Sequence, residues 1–185
     1  MNRDPQLQLS DAEISLLDDF ALCDKLWGLV VEAYYHDHNL TDLENAPCAY
    51  PESLFAKDLS FHWWVAYGVH ALEYDFLAAG FAEFFENHAG LTNAETKAAL
   101  ADIGAHDFVP VFADACAVCD RFSELFRRDP ARTGEEYIQL RDRFSRELSP
   151  MSRRFFELCK SRDPRSYLAT YIRHNLELFR SHKSA

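Results

Sequence analysis

Residues 10–34, SDAEISLLDDFALCDKLWGLVVEAY, set the class of the fold. Ser10 and Glu13 stand at capping-box spacing, where the hydroxyl takes a backbone N–H and the carboxylate reaches back to the serine N–H. Leu16, Phe20, Cys23, Trp27, Val30 and Tyr34 then recur at intervals of 4, 3, 4, 3 and 4. That period is one stripe of a helix, and the spacing predicts a single helix running to about His36. No run of alternating apolar and polar residues competes with it.

Working outward, a loop-like stretch with Pro47 and Pro51 spans 37–57, and a helix apolar on nearly every side spans 60–78. A short aromatic helix lies between Gly80 and Gly90. Thr92 and Glu95, again at capping-box spacing, open a helix that stops at Gly104. Phe108, Phe112, Ala115, Cys119, Phe122 and Phe126 repeat the 4, 3 spacing up to Asp129-Pro130. Thr133 and Glu136 open another helix with Tyr137, Leu140 and Phe144 inward. Ser149-Pro150 and Asp163-Pro164 each place a capping residue before a proline at the first helical position. Leu168, Ile172 and Phe179 share one stripe of the last helix. The expectation is an all-α domain over residues 1–185, about seven helices around the central one.

Composition agrees: 185 residues, 48% hydrophobic, with only 6 glycines and 7 prolines, exclude a disordered chain and a turn-rich β sandwich. The most apolar region, 61–85, is broken by His62, His70, Glu73, Asp75 and Glu83 and does not read as a membrane span. The polar opening has no signal-peptide character. Cys23, Cys48, Cys116, Cys119 and Cys159 form no even secreted framework, so a cytoplasmic protein is expected.

Charge is distributed unevenly. Residues 1–120 carry 4 basic and 21 acidic side chains, an acidic body of net −17, and residues 121–185 carry 15 and 9, a basic part of net +6. The acidic body argues against nucleic acid as a direct ligand, because phosphate contacts need a basic footprint. It suits a basic protein partner instead. On the first helix Asp11, Asp18, Lys25 and Glu32 recur every seven residues opposite the apolar stripe, Asp19 flanks them, and Asp37, Asp42, Glu44 and Glu52 follow. A duplex carries about one charge per 1.7 Å, so seventeen net charges match roughly 30 Å of DNA. The partner-binding candidates are Asp11, Asp18, Asp19, Glu32, Asp37, Asp42 and Glu44.

Catalytic and metal signatures point the other way. Cys116 and Cys119 have CxxC spacing but lie within a helix, with Cys119 on the apolar seam, so core packing by reduced thiols is expected. No second CxxC or CxxH completes a zinc site, and no Glu-x-x-His builds a di-iron bundle. His70 and Glu73, at i and i+3, read as a hydrogen-bonded pair. A P-loop, a nucleophile elbow and a dinucleotide-binding turn are absent. The expectation is a binding protein with no enzyme activity, cofactor or metal.

Gly80-Phe81-Ala82-Glu83-Phe84-Phe85-Glu86-Asn87-His88-Ala89-Gly90, followed by Ile103-Gly104-Ala105, resembles a bacterial family of small helical proteins with the pattern Gly-Phe-x-x-Phe-Phe-x-Asn-x-x-Gly. The resemblance covers residues 60–126 well and reaches Tyr167, Tyr171, Ile172 and Asn175. Where the family has Asn-Gly-Gly, this chain has Ala78-Ala79-Gly80. The family's best understood type is a dimeric acidic DNA mimic that occupies the DNA-binding face of a transcriptional regulator. The resemblance therefore implies a DNA decoy acting on a basic regulator or a nuclease, and a homodimer. Gly80 lets the chain turn, Phe81, Phe84 and Phe85 anchor the core, and Asn87 and Gly90 close the motif, with Asn87 as a cap or left-handed residue. Two alternatives stand beside this reading: an immunity-type inhibitor of a toxin, and a helical hydrolase or metal-dependent enzyme.

Overall fold

The computed structural model describes residues 4–38, 49–123 and 134–180. The described residues form ten helices and no strand, so the chain is all-α: α1 (Asp11–Leu16), α2 (Asp19–Asp37), α3 (Glu52–Lys57), α4 (Phe61–Ala79), α5 (Phe81–His88), α6 (Asn93–Asp102), α7 (Phe108–Arg121), α8 (Gly134–Cys159), α9 (Pro164–His174) and α10 (Leu176–Arg180). Ten exceeds the expected seven because the first and last helices are each divided and α3 forms within the stretch read as loop. None of these helices is long and apolar enough to cross a membrane.

The capping box forms as read: Ser10 Oγ accepts the Glu13 N–H, and Glu13 Oε2 accepts the Ser10 N–H at 2.8 Å. The helix it opens nevertheless stops after six residues, because Leu17 is extended and Asp18 caps a new helix by accepting the Ala21 N–H at 2.7 Å. This break turns the predicted stripe. Leu16 is 85% exposed and Phe20 50%, whereas Ile14, Leu22, Cys23, Leu26, Val30 and Tyr34 are buried.

Helix α4 is the centre. From Trp63 to Phe76 only Tyr74 is exposed, and α2, α3, α5, α6, α9 and α10 all pack against it. Gly68 is needed there for space, since a Cβ would lie 2.9 Å from the Trp64 ring. At the end of α4, Gly80 takes φ +78°, a conformation that costs glycine least, and turns the chain into α5. Phe81, Phe84 and Phe85 are then buried among Phe76, Phe112, Phe144 and Phe155. The aromatic motif is a core anchor.

Several capping expectations fail on hydrogen bonding or packing. Thr92 makes no side-chain cap, and its hydroxyl is buried. Asn87 lies within α5, and the left-handed residue is Ala89 at φ +51°. Pro150 sits inside α8, since Phe144, Leu148 and Phe155 form one buried stripe across it. Tyr137, expected inward, is exposed. Asp163 does cap α9, accepting the Ser166 N–H at 2.8 Å, and Leu168, Ile172 and Phe179 are buried although Asn175 divides α9 from α10. Phe126, Asp129-Pro130 and Thr133 lie outside the described residues.

Candidate acidic interface

Two of the acidic candidates, Asp11 and Asp19, are engaged by arginines of the basic C-terminal part. Arg180 pairs with Asp11 at 2.7 Å and also donates to the Leu9 carbonyl at 2.7 Å. Arg173 pairs with Asp19 at 2.6 Å and donates to the Leu17 carbonyl at 3.0 Å. Helices α9 and α10 thus dock on the acidic body of their own chain. Asp18 is exposed yet occupied by its cap. The row Asp11, Asp18, Lys25, Glu32 does not lie on one helix, because the break at Leu17 separates Asp11 from the rest.

What α2 presents outward is Asp18, Asp24, Glu32 and Asp37, with Lys25 among them. Among the described residues Glu32 makes no ion pair, and Asp37 meets the ring of its neighbour His36 at 3.2 Å. Asp24 escaped the sequence reading because it lies one residue off the seven-residue row. Its carboxylate is half exposed, 4.0 Å from His70. Asp42 and Glu44 fall outside the described residues. From Asp18 to Asp37 the helix rises about 28 Å at 1.5 Å per residue. One DNA strand would show about eight charges over that length at 3.4 Å each. Four carboxylates give about half the density of a single strand, so neighbouring elements would have to contribute to any mimicry.

Elsewhere acids and bases cancel across elements. Arg141 pairs with Glu86 at 2.8 Å, Lys57 with Glu95 at 2.8 Å, and Arg121 with Glu147 at 2.8 Å. The expected His70–Glu73 pair does not form. Glu73 instead accepts from Arg165 Nε at 2.7 Å, while His70 Nδ1 is buried without a hydrogen-bond partner among the described residues. Burial pushes Glu73 up to about 7 against the pull of Arg165, and burial lowers His70 to about 4. These partners are 92 residues apart in sequence. A spacing rule within one helix cannot find them.

The motif residue Asn87 works inside the molecule. Its Nδ2 donates to Asp75 Oδ1 at 3.1 Å, and its carbonyl accepts the Ala49 N–H at 2.9 Å. His88 Nε2 donates to Asp75 Oδ2 at 3.1 Å, since a carboxylate can only accept. Asn87 and His88 thereby join α4, α5 and the segment before α3. Cys116 and Cys119 are unlinked thiols, with Cys119 buried and Cys116 half-buried. Burial raises both to about 12, which suits packing and not nucleophilic chemistry. Among the described residues no group of three His, Cys, Asp or Glu side chains is placed to hold a metal ion.

A protein-family model described as DMP19-like protein matches residues 57–175, from the last residue of α3 to the last residues of α9 and its cap. No curated protein and no solved structure matches the chain.

Proposed function

The chain belongs to the DMP19-like protein family, and from that premise we propose that it is a DNA-mimic protein, working by binding and without a catalytic step. Its partner is a basic DNA-binding protein, such as a transcriptional regulator or a nuclease, whose phosphate-binding face it covers. The observation that supports this reading is the exposed carboxylates along α2, where Glu32 and the cap Asp18 lie on the outer side, Asp24 flanks them, Asp37 is exposed in the last turn, and no arginine of the C-terminal helices reaches any of them. A net charge of −11 adds long-range attraction for a basic surface.

Glu32 and Asp37 are the residues to reverse, because Asp18 caps α2 and Asp11 and Asp19 hold the C-terminal helices. The chain immobilised on beads should capture a basic protein from the extract of its own cells. Excess duplex DNA should release that protein, and so should rising salt, which shortens the Debye length below about 8 Å. Glu32→Lys with Asp37→Lys should lose most of the capture while the circular-dichroism melt stays in place. Capture that survives both duplex DNA and the double reversal would refute the proposal.

A further inference from the structure

Trp27 of α2, Tyr67 and Tyr74 of α4, and Tyr50 surround a cavity of about 110 Å³. Glu52 and Asp75 complete its wall. The two carboxyl-bearing residues are almost wholly buried, Glu52 6% exposed and Asp75 2%. Trp27 and Tyr74 lie nearly parallel, with ring centroids 6.5 Å apart and planes 16° apart. Among the described residues no lysine or arginine lines the cavity. Asp75 is met by Asn87 and His88, and Glu52 by the hydroxyl of Tyr67, a neutral donor.

For these two buried carboxylates the described residues offer one ionisable partner, His88 at 3.1 Å from Asp75, and burying a charge is tolerated when it is paired. Aromatic faces carry negative quadrupoles, and four aromatic side chains lining one space can attract a cation that is willing to lose its water. The volume is a few times the roughly 30 Å³ share of a water molecule and well below the roughly 300 Å³ at which drug-sized pockets begin. It suits a head group of a few heavy atoms. We propose that this cavity is a binding site for a small organic ammonium group, held by the faces of Trp27, Tyr50, Tyr67 and Tyr74 and by the charge of Glu52 and Asp75. Burial also holds the Glu52 carboxyl above the usual carboxylate range, and an arriving cation would favour its ionised form. The site is separate from the outward carboxylates of α2 and does not depend on the DNA-mimic reading. The ammonium has two possible sources, a free small amine or the lysine head of a bound protein.

The test follows the Trp27 indole N–H resonance, assigned with Trp27→Phe, during titration at constant ionic strength. Choline and tetramethylammonium are the free cations, 3,3-dimethyl-1-butanol is the uncharged isostere of choline, and N-acetyl-lysine methylamide presents the side-chain head. Saturable millimolar shifts with the free cations, and at least about tenfold weaker response to the isostere, are expected from the size of cation–π and charge contributions. A matching response to the lysine derivative assigns the site to a protein side chain as well, and its absence assigns it to free amines. Tyr74→Ala, at a side chain 60% exposed, should keep the fold and weaken choline binding by about threefold to tenfold. Glu135→Lys, exposed on α8 and outside the cavity, should leave choline binding unchanged. No saturable shift with any cation, equal response to the isostere, or equal weakening by Glu135→Lys would overturn the proposal.

Discussion

At the scale of the residue, Arg165 shows how position decides worth. Among the described residues its guanidinium carries the only counter-charge in hydrogen-bond contact with Glu73, which is 3% exposed. Because the folded Glu73 titrates near 7 and an unfolded glutamate near 4.5, the native state holds more protons between those values. Its share of stability is therefore complete at low pH and declines as pH rises through that window. Arg165→Met keeps the apolar stem and removes the charge, pushing Glu73 higher still. The variant should lose about 3 kcal/mol near pH 8 and much less near pH 5, where Glu73 is protonated in both proteins. Urea melts at the two pH values check this, and an equal loss at both would show that packing, not charge, is what Arg165 supplies. Sequence alone could mark His70 and Glu73 as unusual on an apolar helix, but not their partners. Which of the 19 lysines and arginines reaches Glu73 depends on how α9 crosses α4, and no spacing carries that information.

At the scale of the element, most apolar stripes were legible and helix ends only in part: Ser10, Gly80 and Asp163 act as read, whereas the first stripe and the ends at Leu17 and Pro150 do not. Gly80, Phe81, Phe84 and Phe85 announced a turn followed by a buried aromatic helix, because a glycine between two apolar runs and phenylalanines at i, i+3 and i+4 have few other uses. The division at Leu17 was hidden by Asp18, since an aspartate at an N-cap and one on a solvated face look alike in sequence. Pro150 misled in the opposite direction. Ser-Pro is a helix-start signal, yet the stripe Phe144, Leu148, Phe155 runs on without a phase change, and that burial outweighs the hydrogen bond a proline forgoes. Pro150 is exposed, so Pro150→Ala restores an N–H where nothing else must move. It should raise stability by between about 1 and 3 kcal/mol, read as a higher melting temperature. A lower melting temperature would mean that the packing of α8 on α7 needs a bend at Pro150.

At the scale of the whole molecule, the uneven charge that sequence displayed is largely an internal matter. Across the division into −17 and +6, Arg165, Arg173 and Arg180 each bind their own chain's acidic body. Leu168, Ala169, Ile172 and Phe179 are buried beside them, so the basic part is core as much as it is charge. This arrangement makes the arginines a test of the decoy reading from the opposite side. Arg173→Gln with Arg180→Gln leaves those four apolar side chains in place and frees Asp11 and Asp19 from their cations. The cost should be about 1–2 kcal/mol, because the ion pairs are partly exposed and the Leu9 and Leu17 carbonyls lose charged donors. If the acidic surface attracts a basic partner, two released carboxylates should tighten capture by about twofold to tenfold at low salt and steepen its fall as salt rises. If the surface only maintains solubility, both the affinity and the salt slope should match the wild type. Weaker capture would place Arg173 and Arg180 in the contact itself, and the surface to map next would then be the seam where α9 and α10 meet α1 and α2.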